Sequence, residues 1–105
     1  MEELIVEWDG NKDIINRQIH HISFETAKLV FADLNRIERL DNSLSNSSGE
    51  IRWQTLGLVG KVLFVVYTER GENIRLISAR LANKKERSSY YGFSNNKSSS
   101  WTKTN

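Results

Sequence analysis

The chain has 105 residues with no cysteine and no proline, and 38% of its side chains are hydrophobic and 27% charged. That length suits one domain with a modest core and is too short for two, while the lack of cysteine excludes disulfide frameworks, thiolate metal sites and cysteine nucleophiles. The formal charge of +2 is unevenly spread: residues 1–50 carry five basic against ten acidic side chains (net −5), and residues 51–105 carry ten against three (net +7).

The first residues, Met1-Glu2-Glu3-Leu4, lack the basic start and apolar core of a signal peptide. No apolar run approaches the roughly 20 residues that a bilayer span needs, so a cytoplasmic protein with no membrane association is expected. Leu4–Trp8 reads as a short strand closed by the turn Asp9-Gly10-Asn11. From Asn11 to His20 no helix breaker occurs. Helical spacing there gathers Ile14, Ile15 and Ile19 on one side and stacks Lys12, Asn16 and His20 in a polar column on the other. His21-Ile22 interrupts the pattern, and Ser23 is a natural N-cap for a second helix carrying Phe24, Ala27, Val30, Phe31 and Leu34 at helical intervals.

Arg36 to Leu40 suits a brief strand, and residues 41–49 are nearly all polar turn formers, so they read as a loop. Three strand candidates follow: Ile51–Leu58, Lys61–Glu69 and Asn73–Arg80. Short glycine-containing connections separate them, as hairpins require. Leu63-Phe64-Val65-Val66-Tyr67 is continuously apolar and predicts a central strand covered on both faces. Asn83-Lys84-Lys85-Glu86 fits a capping box that opens a last helix reaching about Tyr91. Together these elements predict an α+β fold: a small antiparallel sheet, two N-terminal helices packed on it and a short C-terminal helix, within one domain over residues 1–91. Residues 92–105 read as a polar, flexible tail with two apolar anchors, Phe93 and Trp101.

The two histidines are adjacent, so they point apart from any helix and find no third ligand at useful spacing; neither a metal nor a cofactor site is expected. There is no phosphate-cradling glycine loop and no nucleophile elbow. The second half is distinguished by Arg52, Arg70, Arg75, Arg80 and Arg87 interleaved with Trp53, Tyr67, Tyr90 and Tyr91. Guanidinium forks match phosphate, and aromatic faces stack on unpaired bases, so this composition points to nucleic acid. The same set could cleave RNA without a metal. Attack by the ribose 2′-hydroxyl needs cations for the phosphorane and groups that move protons, and His20, Tyr67 or Tyr90 are the candidates for proton transfer. The structural alternative for each arginine is an ion pair with Glu50, Glu69 or Glu86.

The ordered set Trp8-Asp9, Lys12, Asn16, His20, Ile22-Ser23-Phe24-Glu25, Gly49-Glu50, Arg52-Trp53, Val65-Val66-Tyr67-Thr68, Arg70, Arg75, Ile77-Ser78-Ala79-Arg80, Glu86-Arg87 and Tyr90 resembles the BrnT toxins. The likeness runs from about residue 4 to 91. It implies a RelE-like fold and an endoribonuclease that shuts down translation, neutralised by a BrnA-like ribbon-helix-helix antitoxin with which it forms a hetero-oligomer. On that resemblance Arg75 and Arg80 are expected to stabilise the phosphate and His20 or Tyr67 to transfer protons, while Lys12, Arg52, Trp53, Arg70, Arg87 and Tyr90 bind RNA. The alternative is a non-catalytic nucleic-acid-binding or protein-binding module of the same fold. The family usually has glycine after the histidine, at a position suited to positive φ, where this chain has His21. Strict alternation would also place Arg75 and Arg80 on opposite faces of one strand, so a shared site requires a bulge.

Overall fold

In the computed structural model, which describes residues 4–43, 49–93 and 100–104, the apolar run Leu63–Tyr67 lies within the longest strand of a six-stranded sheet. The strands are β1 (Val6–Glu7), β2 (Ile37–Leu40), β3 (Arg52–Val59), β4 (Lys61–Arg70), β5 (Asn73–Leu81) and β6 (Thr102–Lys103), in the order β1-β5-β4-β3-β2-β6. Helices α1 (Gly10–His20) and α2 (Phe24–Ala27) precede β2, and α3 (Lys84–Tyr91) follows β5. The hairpins β3–β4 and β4–β5 form as their glycine turns predict, with Gly60 and Gly71 at positive φ. No described helix is long and apolar enough to cross a membrane.

The expected small antiparallel sheet is larger and mixed. A helical stretch rather than a hairpin follows β1, so its partner comes from the far end of the chain: Val6 and Glu7 pair in parallel with Ile74 and Arg75 of β5. The sixth strand comes from the segment read as a flexible tail. Thr102 and Lys103 pair antiparallel with Glu38 and Ile37 of β2, and Trp101 is buried to 5% exposure. Residues 94–99 of that tail and 44–48 of the serine-rich loop lie outside the described residues.

Each face of the sheet carries its own core, as the continuous apolar strand requires. On one face Phe24, Ala27 and Val30 pack on Leu63, Val65, Tyr67, Leu76 and Ala79. On the other, Tyr90, Ala82 and Trp101 pack on Ile37, Leu56, Val62, Phe64 and Val66. The second helix is shorter than its spacing predicts: after one α-helical turn the chain tightens into a 3-10 turn over Lys28–Ala32. That turn lies directly on Gly57, where a Cβ would come within 2.7 Å of Val30 Cβ, so only glycine admits it.

Helix α1 is turned around relative to its amphipathic pattern. Its isoleucines face outward, Ile14 at 47%, Ile15 at 52% and Ile19 at 63% exposure, while Asn16 is buried. The reason is an unpaired strand edge. Strand β1 pairs only with Ile74 and Arg75, so the outer backbone groups of β5 beyond it need other partners. The Asn16 amide accepts from Ala79 N–H (3.0 Å) and donates to Ala79 C=O (2.8 Å) and Ile22 C=O (2.9 Å), which fixes α1 against that edge. At the end of α1, His21 caps the helix in the left-handed region at φ 60°, a conformation that glycine adopts without steric cost.

Candidate active site

The ladder between β4 and β5 slips by one residue. Val66 faces Ser78, but Tyr67 faces Leu76, leaving Ile77 as the extra residue of a bulge. The slip decides where the arginines point. Arg75 is opposite Thr68 and Arg80 opposite Phe64, and those two lie four residues apart on β4, hence on one face. The same register carries across the sheet: Arg52 faces Thr68, Gln54 faces Val66, and Arg39 of β2 faces Gln54. Arg39, Arg52, Arg75 and Arg80 therefore share the sheet face that bears α3, not the face covered by α2.

Helix α3 covers only one end of that face. Beyond it opens a cavity of about 460 Å³ floored by Phe64, Val66, Ile77 and Ser78 and edged by Asp41, Arg52, Gln54 and Arg80. The Arg80 guanidinium lies 3.9 Å over the Phe64 ring and donates to both carboxylate oxygens of Glu86, at 2.8 and 2.9 Å. Glu86 is in turn the acid of the Asn83 capping box, accepting from Asn83 N–H at 2.8 Å. Burial alone would raise the Glu86 carboxyl, but Arg80 and the Asn83 amide outweigh it and hold it below the ordinary range. Arg75 is 3.8 Å from Glu7, and Arg52 is 3.5 Å from Glu50. Asp41 accepts from Gln54 Nε2 at 2.8 Å; burial opposes its ionisation, and its bonds with Ser43 and Gln54 hold the carboxyl low.

The other residues singled out from the sequence lie elsewhere. Tyr67 is on the opposite face, in the helix-side core, edge-on to Phe31 at 5.1 Å, with its hydroxyl 3.4 Å from Glu38. Burial and the Glu38 charge push its phenol up to about 12, which makes it a poor base. Trp53 is its cross-strand neighbour and packs on the same core. Tyr90, expected to bind RNA, is buried, and its hydroxyl donates to Asp33 at 2.5 Å. Burial and that carboxylate raise the Tyr90 phenol too. Asp33, which burial would raise, is held low by Tyr90 and by the amides of Leu58 and Asn35. Lys12 is exposed in the first turn of α1, and His20 is partly exposed at its last residue. Arg70 is 3.3 Å from Glu50 at the far end of β4, and Arg87 on α3 donates to Ala82 C=O at 2.8 Å.

Sequence reasoning missed Arg39, Asp41 and Gln54. Arg39 sits in the acidic half, and Asp41 reads as a loop residue. Only the β2–β3 register places them beside Arg52 and Arg80. Among the described residues, no three His, Asp or Glu side chains converge as a metal site would need.

A family model described as the ribonuclease toxin BrnT of type II toxin–antitoxin systems matches residues 8–86. Among solved structures, the 1.1 Å crystal structure of the ribonuclease toxin BrnT from Brucella abortus shares the fold with a TM-score of 0.55. The two chains are 16% identical, and the match covers 78% of this chain and 100% of that one. No curated protein matches the chain. Since the family match spans most of the sequence, from Trp8 through the arginine-bearing strands to Glu86, this chain belongs to the BrnT family of ribonuclease toxins of type II toxin–antitoxin systems.

Proposed function

We propose that the arginine-bearing face binds RNA and cleaves it by attack of a ribose 2′-hydroxyl on the adjacent phosphorus. The new P–O bond closes a 2′,3′-cyclic phosphate, the P–O5′ bond breaks, and one proton leaves the 2′-oxygen as another is delivered to the departing 5′-oxygen. Arg80, Arg75 and Arg52 supply the positive charge that the phosphorane needs, so the reaction requires no metal ion. The observation that carries this reading is the Ile77 bulge, which brings Arg75 and Arg80 to one face beside Arg52. His20 is put forward for proton transfer, since both buried tyrosines keep their protons. The RelE-like comparison, arrest of translation, a cytoplasmic location and a BrnA-like ribbon-helix-helix antitoxin belong to the same reading.

The test is cleavage of a defined RNA by the purified chain in excess EDTA. Cyclic-phosphate ends are expected, with a loss of at least about a hundredfold for Arg80→Ala, the scale of removing one transition-state donor. An Arg80→Ala protein as active as the parent refutes the assignment. A second reading, binding without cleavage, draws on the ion pairs that already engage Arg75 and Arg80. It predicts salt-dependent RNA binding with no product in the same experiment.

A further inference from the structure

Six of the eight arginines have a carboxylate within ion-pair distance; among the described residues Arg39 and Arg87 do not. Arg39 is nevertheless held on three sides by neutral groups. Its Nε donates to Gln54 Oε1 at 2.8 Å, its Nη1 donates to Ser100 Oγ at 2.9 Å, and the guanidinium lies 4.0 Å over the Trp101 ring. The Glu86 carboxylate feels the Arg39 charge from beyond ion-pair distance, but a cation fixed by neutral acceptors and an aromatic face keeps its remaining N–H groups available for an anion.

Two of these three contacts come from the C-terminal segment, and that segment is itself tied down. Trp101 is buried in the α3-side core, Thr102 Oγ1 donates to Glu38 C=O at 3.1 Å, and Thr104 Oγ1 donates to Arg36 C=O at 3.1 Å. Gln54 links Arg39 to the candidate active site. It edges the cavity of Arg52 and Arg80, and it also lines a neighbouring cavity of about 660 Å³ that Arg39, Ser100 and Thr102 border. Residues 100–104 fall outside the 8–86 that match the family.

We infer that Arg39 is a further phosphate-binding residue of this RNA groove, and that Trp101 with strand β6 is the element that positions it. This rests on the ribonuclease reading: the neighbouring cavity then takes the RNA backbone next to the phosphate that reacts. Arg39 acts on binding, and Trp101 acts only through Arg39.

The experiment measures binding of a 2′-O-methyl RNA oligonucleotide, which has no 2′-hydroxyl to attack, by fluorescence anisotropy across a salt series, alongside cleavage kinetics on the unmodified RNA. Arg39→Gln is expected to weaken binding about fivefold to tenfold at low salt. It also flattens the log–log salt slope by about 0.7, the increment for one phosphate contact to a single strand, with the cleavage loss falling on KM rather than kcat. Trp101→Ala should reproduce the slope change, Trp101→Phe should restore most of it, and adding Trp101→Ala to Arg39→Gln should add nothing further. An Arg39→Gln protein with the parent's slope and affinity overturns the proposal, whatever Trp101→Ala does to folding. So does a change confined to antitoxin binding. If the parent binds the modified RNA but cuts nothing, the catalytic reading fails while the Arg39 slope still decides this one.

Discussion

Replacing Asn16 with alanine removes three hydrogen bonds at once and leaves the N–H and C=O of Ala79 facing an apolar methyl at the buried edge of β5. Each bond contributes about 0.5–1.5 kcal/mol net, and each backbone group left buried without a partner costs about 1–3 kcal/mol. Water can reach Ile22, which is half-buried, more easily than Ala79. A destabilisation of about 2–4 kcal/mol follows, or roughly 10–20 °C in melting temperature for a domain of this size. Asn16→Asp should be worse at neutral pH. It keeps an acceptor for Ala79 N–H but sets a carboxylate against two carbonyl oxygens. Its folded-state pKa is therefore raised above the unfolded value, and this variant should gain stability as pH falls through that range. Urea unfolding at pH 7 and pH 5 measures both effects. An Asn16→Ala protein within about 0.5 kcal/mol of the parent would mean that the amide is not what holds α1 to the sheet.

Gly57→Ala should cost about 1–3 kcal/mol, because its Cβ would sit 2.7 Å from Val30 Cβ and force the 3-10 turn off the sheet; thermal melting reads the loss, and an unchanged melt refutes the close approach. His21→Gly should stabilise the chain by about 0.5–1 kcal/mol by relieving a left-handed backbone at φ 60°, less the extra chain entropy of glycine. The urea midpoint of the parent should hold above the ordinary carboxylate values of 3.8 to 4.5 and fall below them. Asp33, Asp41 and Glu86 are all held low in the fold, so the stability that they contribute is full above their unfolded pKa values and is lost as pH drops through the folded ones. A midpoint that rises on acidification would contradict those assignments.

Local rules were enough for the elements whose partners are near in sequence. The two glycine hairpins, the Ser23 cap, the Asn83–Glu86 box and the brief strand before Asp41 all form where their residues ask for them. What local rules could not supply is the partner of an edge. Nothing around Leu4–Trp8 says that its strand pairs with residues some seventy positions later, and nothing in the isoleucine spacing of α1 says that a sheet edge needs the Asn16 amide more than the core needs three isoleucines. Burying those side chains would gain about 1.5–3 kcal/mol each, yet the core of that face is already filled by Phe24, Ala27 and Val30. Trp101 was legible as an apolar anchor in a polar tail; its seat on the sheet was not, because β6 pairs with β2 from more than sixty residues away.

The candidate site turns on one residue of register. Without the bulge at Ile77, β5 would alternate strictly, and Arg75 and Arg80, five residues apart, would leave the sheet in opposite directions, one into the α2-side core and one toward the cavity. Alternation along the sequence marks this as the weak joint of a two-arginine site, and only the pairing with β4 settles it. The bulge also explains why Tyr67 is separated from the arginines although it lies in the middle of the motif. It faces Leu76, on the near side of the slip, and so joins the helix-side core with Glu38 and Phe31. The positive half of the sequence is thus divided by the sheet itself. Arg52, Arg75 and Arg80 gather on one face, where Arg39 joins them from the acidic half, while Trp53, Tyr67 and Tyr90, which accompany them in sequence, pack into the cores on either side.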